Sequence, residues 1–460
     1  MRAMGLLLLV IAALVANPAA WAAEAMPEAV LNGLRQEAGQ RSQALIQQGF
    51  NLTHGLRLKA GGSESQRISL LLPPFDGERS LSLWVSVQGG DAQVTLTPAA
   101  AEAGKGAAAA LLTWSARQGE TTLQRRLAPG RYELDLDARA SAGGVALLAI
   151  KGPALVLPTL DAARVQQVAA APAQGFHWPY YLYLPKQIKS PHLLVVPNNS
   201  GFASEDPELL SAAAAQELNR QSALAERLGV AMLVPSFPRP LDPADAEAEN
   251  IYLHALSRAA MQTQRPEWRR VDKQLLAMID DARQRMARQG QDLAPQVLMS
   301  GFSASGMFVN RFAFMHPERV LALASGSPGG WPLAPLARHE GAALNYPVGV
   351  ADWTALTGEP LRLAALRSVA AFIYMGEQDE NDSVVYRDSY SAADEKLVFA
   401  HFGATPLARW QTIQRLYAEQ GLDARFTLYP GEAHRVTEQM NADIEGFFAQ
   451  RLTKAAATRP

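Results

Sequence analysis

The 460-residue sequence contains no cysteine. That excludes disulfides and a lipid-modified N-terminal cysteine, so the fold must be stabilised by its core alone. Charge of one sign is also missing: 42 Lys and Arg against 44 Asp and Glu leave a formal net charge of −2. No basic surface points to nucleic acid, and no polybasic run points to anionic lipid. Beyond the first residues no stretch is long and apolar enough for a membrane span. No grouping of His, Asp and Glu has metal-ligand spacing, so no catalytic metal and no cofactor is expected.

What is present begins with Arg2 and the apolar run "GLLLLVIAALV", followed by "NPAAWAA" with Ala20 and Ala22 around Trp21. Positive start, short apolar core and small-residue site read as a secretory signal peptide over 1–23, with an uncleaved membrane anchor as the alternative. An exported protein, periplasmic or extracellular, is expected. The length allows two to three domains.

Helical spacing of Ala29, Val30, Leu34, Ala44 and Leu45 predicts a short helix within 26–48. The period then changes to two. "RISLLLP", "LSLWVSV", "AQVTLTP", "RYELDLDA" and "GVALLAI" read as strands separated by "PPFDGE", "QGGD" and "LAPG" turns. Residues 24–156 are expected to form this helix plus an all-β sandwich. Residues 157–175, rich in Ala, Pro and Gln, read as a linker. From 176 to 460 strands alternate with amphipathic helices, which predicts an α/β domain built on a mostly parallel sheet covered by helices. A segment at about 331–367 has little helical periodicity and is expected to cover the site as a lid.

The chemistry centres on "MSGFSASGMF". The strand "QVLMSG" runs into Ser303 and a helix follows, the context of a nucleophile on a strained strand-to-helix turn. Gly301 and Ser305 flank Ser303 where larger side chains would collide. Asp379 follows the strand "AAFIYMG" and His434 follows "RFTLYPG", each three residues after the closing glycine. Nucleophile, acid and base thus occur in the order Ser, Asp, His at carboxyl ends of strands. Asp382 is the alternative acid. The oxyanion donors expected are the backbone N–H of Ala304 and that of Asn199 or Ser200, from "PNNSG" after another strand. That stretch also reads as an ordinary turn. Asn198 would add its side chain to the site or brace the loop, and Trp331 would line the substrate pocket or pack in the core.

Residues from about 176 to 452, and "GFSASGMFVNRFAFMHPERV" above all, resemble the α/β-hydrolase superfamily, in particular polyhydroxybutyrate depolymerases and feruloyl-esterase-like enzymes. Two departures stand out: Ser305 occupies a usual glycine position, and "PNNSG" stands in place of an "HG" oxyanion loop. The stretch from about 55 to 152, through "SESQRISLLLP", "GGDAQVTL" and "LAPGRYELDL", resembles the pre-peptidase C-terminal β-sandwich, an accessory module. The resemblance implies a serine hydrolase cleaving carboxylic esters, with an ester or acyl substrate, polymeric ones included, as its partner. A peptidase of the same fold and a catalytically silent binding protein are the alternatives. The oligomeric state is left open by the sequence.

Overall fold

The computed structural model describes residues 52–58, 62–72, 78–88, 90–99, 109–116, 119–139, 144–152, 154–158, 160–199, 204–240 and 251–457. The expected signal peptide and the helix within 26–48 lie outside them, as does Ser200. The chain divides into two compact units, Met1–Pro158 and Thr159–Pro460.

The first unit is all β. Its strands are β1 (Leu52–Leu58), β2 (Ser63–Leu72), β3 (Arg79–Gln88), β4 (Asp91–Pro98), β5 (Leu112–Ala116), β6 (Gly119–Leu127), β7 (Gly130–Arg139), β8 (Gly144–Lys151) and β9 (Leu155–Leu157). They form two antiparallel sheets, β1-β8-β3-β6 and β5-β4-β7-β2-β9. The alternating residues Ile68, Leu70 and Leu72 of β2, Val94 and Leu96 of β4, and Leu134 and Leu136 of β7 share one core with Leu81, Leu83, Val85 and Val87 of β3 and Leu148 and Ile150 of β8. Two sheets burying their alternate faces in common make a β-sandwich. The sequence reading missed the four edge strands β1, β5, β6 and β9. Edge strands, such as β6 whose "TTLQRR" is largely exposed, need carry no strong apolar alternation.

The second unit holds one eight-stranded sheet, ordered β10-β11-β13-β12-β14-β15-β18-β19. Its strands are β10 (Val165–Val168), β11 (Tyr180–Tyr183), β12 (Leu194–Val195), β13 (Met232–Pro235), β14 (Val297–Phe302), β15 (Val320–Gly326), β18 (Ala370–Gly376) and β19 (Ala424–Tyr429), with a small hairpin, β16 (Arg338–His339) and β17 (Ala342–Ala343), set apart. The six strands from β13 to β19 are parallel, and β10 and β11 add antiparallel pairs at one edge. Part of the expected linker is thus a strand. "VQQV" is too short and polar to signal itself and is held by its ladder to Tyr180–Tyr183. Two antiparallel edge strands, a crossed β13-β12 pair and then parallel strands in sequence order are the arrangement of an α/β-hydrolase fold.

Alternation along each strand supplies two cores. Val297, Met299, Ile373 and Met375 face the helices Val271–Arg288, Ala304–Met315 and Pro406–Glu419. Leu298, Ala322, Phe372 and Tyr374 face the helices Pro207–Leu228 and Glu438–Ala457. The segment 331–367 contributes Leu333, Leu344, Tyr346, Val348 and Trp353 to the first of these cores. Within it the hairpin Arg338–Ala343 lies at the surface. Among the described residues no helix is long and apolar enough to cross a membrane.

Phe372 is fully buried on the central sheet, 5.2 Å from the Tyr374 ring and 5.7 Å from that of Phe447. Phe372→Ala is expected to destabilise the protein by about 3–5 kcal/mol through lost transfer energy and a cavity. Urea unfolding followed by circular dichroism reads this directly.

Candidate active site

The site is assembled at the carboxyl ends of the central strands, where ligands of such sheets sit. Ser303 stands between β14 and the helix Ala304–Met315 at φ 61° and ψ −124°. A non-glycine residue at positive φ costs of order 1–3 kcal/mol and persists only where its surroundings over-determine it. Here they do. A Cβ on Gly301 would lie 2.2 Å from the Ser305 carbonyl oxygen, and one on Gly306 would lie 2.4 Å from that of Gly326. The Ser303 N–H donates to Gly326 O at 2.9 Å, and Ser303 O accepts the first helical N–H, from Met307, at 3.0 Å.

Ser305 has a role that sequence reasoning did not assign. Its hydroxyl accepts the Phe302 N–H at 3.0 Å and donates to Phe302 O at 2.9 Å, closing the turn on itself. The hydroxyl does locally what strand pairing can no longer do once the chain leaves β14. No feature of the sequence other than its place in the turn would have revealed it.

Asp379 and His434 arrive on separate loops. Gly376 lets these loops meet, since a Cβ there would lie 2.2 Å from Glu432 O. The Glu377 N–H donates to Tyr429 O at 2.9 Å and the Gln378 N–H to Glu432 O at 2.8 Å. The result is a bond from His434 Nδ1 to the Asp379 carboxylate, at 3.0 Å to Oδ1 and 2.9 Å to Oδ2. A carboxylate only accepts, so Nδ1 carries a proton, and the neutral ring with that tautomer has its lone pair on Nε2, as a general base requires. The imidazole lies against Phe302, ring centroids 4.8 Å apart, beside the Ser303 turn. No hydrogen bond joins the Ser303 hydroxyl to the imidazole.

The alternative acid is engaged elsewhere. Asp382 Oδ1 accepts from Val384 N–H at 3.1 Å, capping the turn Ser383–Tyr386, and from Arg409 Nη1 at 2.9 Å. Both partners of that ion pair are buried. Asn198 is also buried, with its amide clamped on the Phe237 backbone. Trp331 lies in the core, its ring 4.3 Å from that of Phe402 and its Nε1 donating to Val348 O at 2.9 Å. It is not part of the site wall. Ala304 N–H is the first of its helix and has no intrahelical acceptor. Beside the Asp379 loop opens a cleft of about 710 Å³ whose wall combines Glu377 and Glu380 with Val385, Tyr386 and Leu407. Ser303 and His434 do not line it.

No protein-family model matches the sequence, and no curated protein does. Among solved structures the chain is similar to poly(aspartic acid) hydrolase-1 from Sphingomonas sp. KT-1, with 18% identity, 62% of this chain and 97% of the other covered, and a TM-score of 0.41. It is also similar to LpqC, a poly(3-hydroxybutyrate) depolymerase from Bordetella parapertussis, at 19% identity over 60% of this chain and 84% of the other, with a TM-score of 0.38. For Est1E from Butyrivibrio proteoclasticus the values are 14%, 63%, 99% and 0.33. The strand order and connectivity described above define the fold independently of these likenesses.

Burial alone would raise the Asp379 carboxyl, but its bond to His434, the nearby Ser327 hydroxyl and the Asn381 N–H outweigh that and hold it below its ordinary 3.8. The folded chain then binds fewer protons than the unfolded chain just below 3.8. The stabilisation is present above that value and is lost as pH falls through the depressed one. The stability gap between wild type and Asp379→Asn is expected to be widest above pH about 5 and to shrink on acidification. Urea titrations at a series of pH values measure it, and a gap that widened toward acid would contradict the assignment.

Proposed function

We propose that this chain is a serine hydrolase that cleaves carboxylic esters through an acyl-enzyme, with Ser303 as nucleophile, His434 as base and Asp379 as the orienting acid. The observation that carries the reading is Ser303 held at positive φ on a strand-to-helix turn, with the imidazole of an Asp379–His434 pair packed beside that turn. In the first step Ser303 Oγ attacks the acyl carbon while His434 Nε2 takes its proton. The Ala304 and Asn199 N–H groups would receive the charge developing on the carbonyl oxygen. Collapse of the tetrahedral intermediate breaks the bond to the leaving alcohol, which takes the proton from the imidazolium. Water then repeats the sequence on the acyl-enzyme and releases the acid and Ser303. Asp379 stays ionised and stabilises the imidazolium throughout.

Labelling with a fluorophosphonate, followed by peptide mapping, tests the nucleophile. Ser303 is expected to be modified, and Ser303→Ala to abolish both labelling and hydrolysis of p-nitrophenyl esters. Turnover by Ser303→Ala equal to wild type would sink the reading. Absence of both activities in folded wild type would favour a binding protein, and cleavage of peptides but not esters would favour a peptidase.

The two acids separate in the same assay. Asp379→Asn is expected to lower kcat by about 10⁴ by presenting the wrong imidazole tautomer. Asp382→Asn should lose about 3–5 kcal/mol of stability, because Arg409 is left buried without its charge partner, while turnover per folded molecule is kept.

A further inference from the structure

The loop after β12 leaves the sheet early. Its last ladder bond is Val196 N–H to Leu233 O at 2.9 Å, and Pro197, which follows, has no N–H to offer. The next two residues are Asn198 and Asn199. A side-chain clamp holds them where the ladder stops. Phe237 N–H donates to Asn198 Oδ1 at 3.0 Å, and Asn198 Nδ2 donates to Phe237 O at 2.9 Å. The same Phe237 oxygen takes a second bond, from His254 Nε2 at 2.8 Å. His254 is fully buried, and burial pushes its imidazole down to about 4. The ring is therefore neutral, with its proton on Nε2.

Both ends of this clamp are tied to the helix that begins after Ser303. The Phe237 ring stacks on that of Phe308, centroids 6.2 Å apart. Arg311, buried on the same helix, donates from Nη1 to Ala255 O at 2.6 Å, one residue beyond His254. An unbroken path of buried contacts thus runs from the Ala304–Met315 helix through Arg311, Ala255, His254 and Phe237 to Asn198 and Asn199.

We infer that His254 and Asn198 are positioning residues that fix the Asn199 N–H relative to the Ala304 N–H, setting the separation of the two oxyanion donors. The inference rests on the serine-hydrolase reading above. An apolar side chain could fill the space of His254, but it could not bond Phe237 O, and Asn198 would then hold the loop with one fewer constraint on its partner. A donor displaced by about 1 Å costs on the order of 100-fold in rate. The displacement acts on the transition state, where charge reaches the oxygen, and leaves substrate binding largely alone.

The experiment compares p-nitrophenyl butyrate hydrolysis by the full chain and its variants, with folding checked by circular dichroism and Ser303 labelling by a fluorophosphonate. His254→Leu is expected to lower kcat roughly 10- to 100-fold with KM changed by no more than about threefold. His254→Gln, which restores an N–H donor, should recover most of that loss. Asn198→Asp keeps the acceptor for Phe237 N–H but loses the donor to Phe237 O, and should give the same loss in kcat with KM retained. It decides the matter alone if His254→Leu does not fold. A folded His254→Leu with wild-type kcat, a loss expressed mainly in KM, or a folded His254→Gln no better than His254→Leu would overturn the inference and leave the serine-hydrolase reading standing. A folded wild type that neither hydrolyses the ester nor labels at Ser303 would overturn that reading, and the inference with it.

Discussion

The backbone contact between β14 and the helix that follows it is the constraint on which the rest of the site depends. Ser303 is held at φ 61° between two close backbone approaches. The Ser305 carbonyl closes against Gly301, and Gly306 closes against the carbonyl of Gly326 on the neighbouring strand. The helix is thereby docked on the sheet at its first turn, and its interior face, through Phe308 and Phe312, continues that docking into the core. A strained residue so placed is stable because both neighbours are buried regular elements, whose packing energy far exceeds the few kcal/mol of strain. The strain has a geometric consequence. It turns the Ser303 side chain out of the strand's alternation and aligns the N-terminal N–H groups of the helix with the same region.

A second close approach brings in the remaining groups. β18 and β19 are parallel neighbours, so their carboxyl ends lie side by side. Side-by-side strand ends bring two loops near each other but do not join them. Gly376 removes the Cβ that would hold them apart, and two backbone bonds then stitch them together. Only after that can Asp379 reach His434. The carboxylate is buried and ionised, which requires partners on each side. The imidazole and the Asn381 N–H supply them.

What was legible in the sequence follows from these contacts. β15 and β18 are read with their observed bounds because buried parallel strands are continuous apolar runs, and the strands ahead of Ser303 and His434 are read to within a residue or two. The glycines mark the close approaches. The clamp at Asn198 was not legible as such, because Phe237 lies 39 residues from Asn198 and His254 another 17 beyond it, and no local pattern links them. Ser305 was visible as a small residue, but its pair of bonds to Phe302 was not. Trp331 follows a strand end and so could face a ligand or the core. Its stacking on Phe402, on a helix some seventy residues later, decides for the core, and such pairings are made by tertiary packing alone. Asp379 and Asp382 have equal standing in sequence. Arg409, which engages the Asp382 carboxylate, is 27 residues away on another helix.

Some departures from ordinary local rules lie at the carboxyl ends of the sheet. Ser303 and Ser327, both at positive φ, directly follow β14 and β15. Among the described residues, Asn199 Oδ1, Ser236 Oγ and His254 Nδ1 are three of ten buried side-chain atoms with no hydrogen-bond partner; Ser236 directly follows β13, and Asn199 lies four residues past β12. Unsatisfied buried acceptors and strained backbone each cost stability, and a protein optimised for stability alone would scatter or remove them. The middle of the sheet keeps to the rules, with apolar faces, paired strands and covering helices. Costs accepted at the carboxyl ends are what a scaffold carries when polar groups must be held ready for something other than each other. In this chain the arrangement works because the two cores flanking the sheet are continuous up to those strand ends, so strain at Ser303 and unpaired polarity at His254 are both held by packing that is already complete.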